Sequence, residues 1–157
     1  MSSSNAEFFK EICLRMIHVA RELENTVGRH KALEIIEKGN ENAIIEFTES
    51  QNGESVAIKD FEDFKKYHKD SLKSLFLSGV VTESIAEETP TKMVSHVTRC
   101  LWSTTFRELG EPELGYAICC HPDFAAASHY HPKIRLQRTK TLMKGDGYCN
   151  HKYYWQE

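Results

Sequence analysis

The sequence contains no apolar run of the roughly 18 to 20 residues that a membrane-spanning helix needs. It also has no excess of positive charge, because 20 lysine and arginine residues are set against 23 aspartate and glutamate residues. A general nucleic-acid-binding domain is expected to be basic, so the composition predicts neither a nucleic-acid partner nor a membrane partner. Residues 1–5 lack the basic and apolar segments of a secretory signal, which leads us to expect a cytoplasmic location.

Several site motifs are missing as well. The chain has no Cys-x-x-Cys pair and no His-Glu-x-x-His segment, so the usual spacing of zinc ligands is absent. It has neither the Gly-x-x-x-x-Gly-Lys loop of nucleotide-binding proteins nor the Gly-x-Ser-x-Gly turn of serine hydrolases. No cofactor is therefore predicted with certainty, although a divalent ion such as zinc, held by three scattered side chains, stays open as an alternative.

With 157 residues, of which 40% are hydrophobic, the chain has the size and apolar content of one folded domain. We expect a single domain over residues 1–157, in which residues 1–79 form a helical scaffold. Residues 80–157 are expected to form an α+β half that carries the site. All four prolines, four of the five cysteines and five of the eight histidines lie there.

The first half has the periodicity of helices. Apolar residues recur at spacings of three and four from Glu7 to Asn25, which predicts an amphipathic helix. A second helix is predicted over residues 28–50, with an interruption at Gly39–Asn40 because glycine disfavours a helix interior. Asp60 is a typical N-cap, and it begins a third predicted helix that ends at Gly79.

After Gly79 the pattern changes to that of strands and short helices. We expect a hairpin of Val80–Glu88 with Lys92–Cys100, followed by a helix over Leu101–Leu109. A further helix is expected to start at a proline, over Pro112–Cys120, and a final strand pair is expected to join Ile134–Met143 with Tyr148–Trp155. Pro122 is expected to end the second of these helices. The predicted fold class is α+β, with N-terminal helices followed by a small antiparallel sheet and one or two packed helices.

Five cysteines cannot all pair within one chain, and without an export signal we expect thiols, ligands or catalysts. Cys13 lies in the apolar stripe of the first helix and is predicted to be a core residue. Cys119 stays undecided beside its neighbour Cys120. Cys100, Cys120 and Cys149 are expected to meet around one pocket.

Arg138 follows Ile134 and Leu136 on the predicted inward face of a strand, where a charge is costly unless it is paired. Three interpretations stay open. The strand end is exposed, or Arg138 pairs with a structural carboxylate, or its guanidinium clamps the carboxylate of a ligand.

Other candidate side chains lie nearby in the sequence. His121 follows Cys120 directly and Asp123 lies three residues after it, which meets the compositional requirement for an activated thiol. His129 and His131 would point the same way if their segment were extended. Asp146 lies in the turn that precedes the last predicted strand.

The second half resembles the L-2-amino-thiazoline-4-carboxylic acid hydrolase family. The specific parts are the Cys-x-x-Asp at Cys120 and Asp123, the Arg-Thr-x-Thr-Leu segment from Arg138, and the Gly-Asp-x-x-Cys over Gly145–Cys149. The likeness covers residues 80–155 well and the helical first half only loosely.

The resemblance implies a hydrolase that opens a small cyclic substrate by adding water to its C=N carbon. The candidate catalytic residues are Cys100, Cys120, Asp123 and Cys149. The candidate substrate-binding residues are Arg138, His129, His131 and Asp146. Asp123 would be the general base, Cys120 or Cys149 would be nucleophile, acid or ligand, and Arg138 would bind the substrate carboxylate.

A fainter likeness, to small-molecule-binding domains of the 4-vinyl-reductase type, rests on the late strand, the Gly-x-x-x-Cys turn and Cys100. One alternative function is therefore a non-enzymatic small-molecule-binding domain. Another is a thiol or metal sensor, in which Cys100 lies within disulfide reach of Cys120 or Cys149. A small molecule is the expected partner, and a homo-oligomer is a further expectation.

Overall fold

The computed structural model describes residues 3–54, 58–73 and 79–156. The elements run in the order α1 (Ser3–Val27), α2 (Arg29–Glu54), α3 (Phe61–Ser71), β1 (Val81–Glu88), β2 (Lys92–Cys100), α4 (Leu101–Glu108), α5 (Pro112–Gly115), a π-helical turn (Tyr116–Cys120), α6 (Pro122–Tyr130), β3 (Ile134–Gln137), a 3-10 turn (Leu142–Lys144) and β4 (Cys149–Trp155). The α+β class is confirmed, with long helices first and a four-stranded antiparallel sheet after them. The second half holds more helix than the one or two elements expected.

The two long helices α1 and α2 follow the predicted scaffold. Part of the apolar stripe of α1 is buried, and Cys13 with Ile17 lies in a core cluster together with residues of α4 and α5, which confirms Cys13 as a core residue. The expected break at Gly39 is wrong, because α2 runs through it. The Asn40 side chain donates to the carbonyl of Ile36 within the helix, and α2 packs against both α1 and α6. Tertiary packing of this kind outweighs the modest helix cost of one glycine.

The third helix begins as the sequence predicts and ends earlier. Asp60 caps it, since its carboxylate accepts from the backbone N–H of Asp63 at 2.9 Å. The helix ends at Ser71 and not at Gly79, and Lys73 N–H bonds back to the carbonyl of Asp70 in the tighter pattern of a helix end. The expected continuation over residues 74–78 lies outside the described residues.

The sheet has the strand order β1-β2-β4-β3, and every neighbouring pair is antiparallel. The predicted hairpin over β1 and β2 is confirmed. In the β2–β4 pair, Ser95 is opposite His151 and Val97 is opposite Cys149. Ser95, Val97 and Cys149 are buried, so this register fixes which side chains of β4 point towards the helices.

Pro122 begins a helix where we expected it to end one. The chain widens into the π-helical turn, whose last bond runs from His121 N–H to the carbonyl of Tyr116 at 2.8 Å. Pro122 then occupies the first position of α6. An N–H at that position has no helical partner in any case, so proline costs nothing there.

The strand expected over Ile134–Met143 is correct only as far as Gln137. Beyond Gln137 the backbone N–H groups of Thr139 and Lys140 bind a side chain and not a neighbouring strand. The Oδ1 of Asn150 accepts from both, at 3.0 Å and 2.7 Å. The strand pairing with β4 is as predicted, but a longer loop replaces the tight hairpin turn. Among the described residues, no helix combines the length and the apolar character that crossing a membrane requires.

Candidate functional site

Arg138 is the centre of a polar cluster at the end of β3. Its side chain is only 2% exposed. Nη1 donates to Asp123 Oδ2 at 2.5 Å and to His151 Nε2 at 3.0 Å, while Nη2 donates to the carbonyl of Cys120 at 2.6 Å. Of the three interpretations of Arg138, the structure therefore agrees with the second, in which the guanidinium pairs with a carboxylate of the chain itself.

Asp123 reaches this cluster from the first turn of α6, directly after Pro122. Its side chain is 42% exposed, so one side of the carboxylate faces Arg138 and the other faces solvent. A carboxylate is also favourable in the first turn of a helix, where the unpaired N–H groups lie. The Phe124 ring covers the guanidinium, with its centroid 5.0 Å from Arg138 Cζ.

His151 completes the cluster from β4, and its hydrogen bonding fixes its tautomer. Burial lowers its pKa; Asp123 opposes this effect and Arg138 adds to it, so the ring is neutral at pH 7. Because guanidinium can only donate, Nε2 of His151 must be the acceptor and Nδ1 carries the proton. This Nδ1 is buried and has no hydrogen-bond partner among the described residues.

Cys120 and Cys149 meet at the hydroxyl of Thr141. The Oγ1 atom of Thr141 lies 3.8 Å from Cys120 Sγ and 3.6 Å from Cys149 Sγ. Cys149 Sγ also accepts from the N–H of Leu142 at 3.3 Å. Cys120 and Cys149, two of the three cysteines expected around one pocket, therefore lie close together. The backbone carbonyl of Cys120 also accepts a hydrogen bond from Arg138.

Four of the thiols, those of Cys13, Cys100, Cys119 and Cys120, are protonated at neutral pH. Burial raises the pKa of Cys120 to about 12, although the charge of Arg138 acts in the opposite direction. Burial likewise raises the pKa of Cys13 to about 11 and raises those of Cys100 and Cys119. A thiolate nucleophile needs the opposite shift, so the surroundings of Cys120 favour a thiol that donates or packs. All five cysteines are free.

The remaining predicted residues, Asp146, His129 and His131, have separate contacts. Asp146 accepts from the N–H of Thr141 at 2.8 Å and so closes the loop that carries the hydroxyl. His129 lies in the last turn of α6, where the alternation of an extended segment does not apply, and its ring contacts the carbonyl of Ala125. His131 is stacked on Trp155, with ring centroids 4.5 Å apart.

Metal ligation is not built into the described residues. No group of three or more histidine, cysteine, aspartate or glutamate side chains in the described part of the chain is arranged to hold an ion. A cation beside Asp123 would also lie next to the positive charge of Arg138.

Sequence reasoning missed a second polar group beneath the sheet. His68 of α3 and Glu83 of β1 lie 2.7 Å apart, and the Glu83 side chain is only 6% exposed. Burial alone would raise the pKa of Glu83, but the hydrogen bond and charge of His68 hold it below its usual range. The strand pattern could have revealed this pair, because Glu83 lies on the same strand face as the partly buried Val81 and Ile85.

The buried, neutral His151 predicts a dependence of stability on pH. Its pKa is lowered on folding, so below about pH 6.5 the unfolded chain binds a proton that the folded chain does not. As the pH is lowered through that range, we expect the free energy of unfolding to decrease, by at most about 1.4 kcal/mol per pH unit from this residue. His151→Gln keeps an acceptor for Arg138 and is expected to flatten the dependence in urea unfolding between pH 5.5 and 7.5. His30→Gln, at a site that is 89% exposed, is the control, and equal slopes for both variants would contradict the assignment.

Comparison with known proteins gives the following matches. A protein-family model described as L-2-amino-thiazoline-4-carboxylic acid hydrolase matches residues 5–153, which includes the helical first half. No curated protein matches the sequence. Among solved structures, the crystal structure of the phenol-responsive sensory domain of the transcription activator PoxR with phenol is similar, with a TM-score of 0.49 and 11% sequence identity. That alignment covers 88% of this chain and 71% of the other.

Proposed function

The chain belongs to the L-2-amino-thiazoline-4-carboxylic acid hydrolase family, and from this membership we propose that it hydrolyses a small cyclic substrate at a C=N carbon. The observation that carries the proposal is the Asp123 carboxylate, which is 42% exposed and is held on the buried Arg138. A carboxylate oriented from one side and open to solvent on the other is suited to activate a water molecule.

In the proposed reaction Asp123 accepts a proton from water as the water oxygen bonds to the C=N carbon. The C=N electron pair moves to nitrogen, which takes a proton from solvent. The new hydroxyl then loses its proton to solvent and becomes a carbonyl, while the bond from this carbon to the ring sulfur breaks. Sulfur leaves with the bonding pair and receives the proton that Asp123 holds, so one water is consumed and the ring is open.

The other candidate residues take supporting roles in this proposal. Arg138 positions Asp123, because its side chain is only 2% exposed and three of its N–H donors bind Asp123, His151 and the Cys120 carbonyl. The raised pKa of Cys120 favours a role in packing or proton donation over attack on the substrate. Roles for Cys100 and Cys149 in catalysis, and for His129, His131 and Asp146 in substrate binding, stay predictions.

A turnover screen of cyclic amino acids tests the proposal. We expect wild-type protein to convert L-2-amino-thiazoline-4-carboxylate or a close relative into a ring-opened thiol, detected by mass spectrometry and by release of a new thiol. Heat-denatured protein is the control for spontaneous opening. Absence of turnover for every cyclic substrate, at protein concentrations that detect slow reactions, would reject the hydrolase.

A second function, small-molecule binding without turnover, is favoured by one separate observation. Ser95 Oγ is fully buried and lacks a hydrogen-bond partner among the described residues, as does the Nδ1 of His151 on the neighbouring strand. Unpaired buried polar atoms call for an explanation, and a bound ligand supplies one. Binding of the screened compounds without conversion, weakened by Ser95→Ala, is the result that would favour this function over hydrolysis.

Three further features belong to the proposal. The single domain, the cytoplasmic location and the homo-oligomer are predictions from the sequence and stay so.

A further inference from the structure

A concavity of about 790 Å³ opens beside the Arg138 cluster. Its wall is formed by side chains of α2, α4, α5, the π-helical turn and the 3-10 turn, and Tyr116 is the residue it shares with the cluster. The Tyr116 ring lies 5.7 Å from Arg138 Cζ and 4.0 Å from Lys144 Nζ. The volume of the concavity is in the range of ligand pockets, roughly 300 to 1,000 Å³.

Two cations on this wall are available to attract an anion. Arg107 and Lys144 have no carboxylate within 4.0 Å among the described residues. Of the two acids on the wall, Glu113 is bound by Arg29 at 2.8 Å, and Glu37 lies 3.8 Å from the imidazole of His121. Both cations of the wall therefore keep their charge without a carboxylate partner.

The backbone is arranged so that Arg107 can reach the concavity. Its Nη1 donates at 2.8 Å to the carbonyl of Leu142, the first residue of the 3-10 turn. Gly145 closes that turn with φ of 98°, and a Cβ there would lie 3.3 Å from the guanidinium of Arg107. Glycine is thus favoured by the left-handed backbone, and it lets the guanidinium of Arg107 approach closely.

We propose that this concavity binds the carboxylate of a small heterocyclic acid through Lys144, with Arg107 beside it. The inference rests on the proposed function, in which that acid is the substrate. It assigns the carboxylate contact to Lys144, whereas the sequence assigned it to Arg138, whose side chain is 2% exposed and already paired with Asp123. A substrate anchored here lies near Tyr116, whose ring is 5.7 Å from Cζ of Arg138, the partner of Asp123.

The experiment compares L-2-amino-thiazoline-4-carboxylate with 2-amino-thiazoline, which lacks the carboxylate. Lys144→Gln is expected to raise KM for the acid about tenfold, the loss of one charge-assisted contact, with kcat nearly unchanged. KM for 2-amino-thiazoline is expected to stay the same. Lys144→Arg should recover most of the loss, and the effect should shrink at high salt. Lys140→Gln, whose ammonium lies over Tyr148 outside the concavity, is the matched control.

The outcomes separate this inference from the proposed function. Equal effects of Lys144→Gln on both compounds, or no effect on the acid, overturn the carboxylate site even if hydrolysis is observed. If wild-type protein converts neither compound, calorimetric titration with the same acid decides. Binding that Lys144→Gln weakens about tenfold supports the site without hydrolysis, whereas no binding, or binding indifferent to Lys144, overturns it.

Discussion

Replacing Asp123 with asparagine is expected to lower turnover of a cyclic C=N substrate by a factor of about 10² to 10⁴ while the protein stays folded. Asparagine has nearly the same shape, and its Oδ1 can still accept from Arg138. It cannot take a proton from water at neutral pH, so the proposed step loses its base. Steady-state rates for wild type and variant, with circular dichroism to compare the folds, provide the measurement.

The same substitution has a separate structural effect that must be measured beside the rate. Arg138 is 2% exposed and would keep its charge without a charged partner, so we expect the free energy of unfolding to fall by about 1.5 to 3 kcal/mol. Asp70→Asn makes the same chemical change at an exposed ion pair with Lys73 and is expected to cost much less, because an exposed ion pair contributes little to stability. A variant at Asp123 that keeps more than half of the wild-type rate would exclude Asp123 as the base.

An Arg138→Gln variant distinguishes positioning from catalysis. If Arg138 acts through Asp123, its loss is expected to reduce kcat and to add little to the effect of Asp123→Asn in the double variant. Additive losses in the double variant would mean that the two side chains act independently. The cycle also measures the coupling of the ion pair in urea unfolding.

The parts of the fold that sequence predicted well are those in which a local signal agrees with the packing. Asp60 is an N-cap by its own hydrogen bond, and β2 has the bounds expected from the β-like composition of residues 92–100. The errors occur where a side chain from elsewhere in the chain replaces a local rule. Asn150 ends β3 by binding the backbone of Thr139 and Lys140, which no pattern within residues 134–143 could reveal.

The candidate site was predictable as a set of residues and not as a set of contacts. The sequence placed a costly charge at Arg138 and a carboxylate at Asp123, but their pairing depends on α6, which begins at a proline expected to end a helix. Cys120 shows the same limit. Composition gave it a histidine neighbour, whereas the fold buries its thiol and raises its pKa to about 12.

Gly115→Ala is expected to lower the free energy of unfolding by about 1 to 3 kcal/mol through overpacking. The backbone at Gly115 is right-handed helical, with φ of −59° and ψ of −36°, so it would accept alanine without strain. The added Cβ would lie 2.7 Å from Cβ and Cγ of Phe106 and 2.8 Å from Cε of Met143. Phe106 and Met143 are almost fully buried, so neither can move aside freely.

Gly39→Ala is the matched control for this steric argument. It is also a helical glycine, but nothing lies within 4 Å of the added Cβ, so it is expected to raise stability by about 0.5 to 1 kcal/mol. Urea unfolding of the two variants should therefore give shifts of opposite sign, and shifts of the same sign would refute the packing at Gly115. Because Gly115 directly precedes Tyr116 and the turn that carries Cys120, its variant should also raise KM for the heterocyclic acid. Gly39→Ala should leave KM unchanged, since Gly39 touches neither the concavity nor the Arg138 cluster.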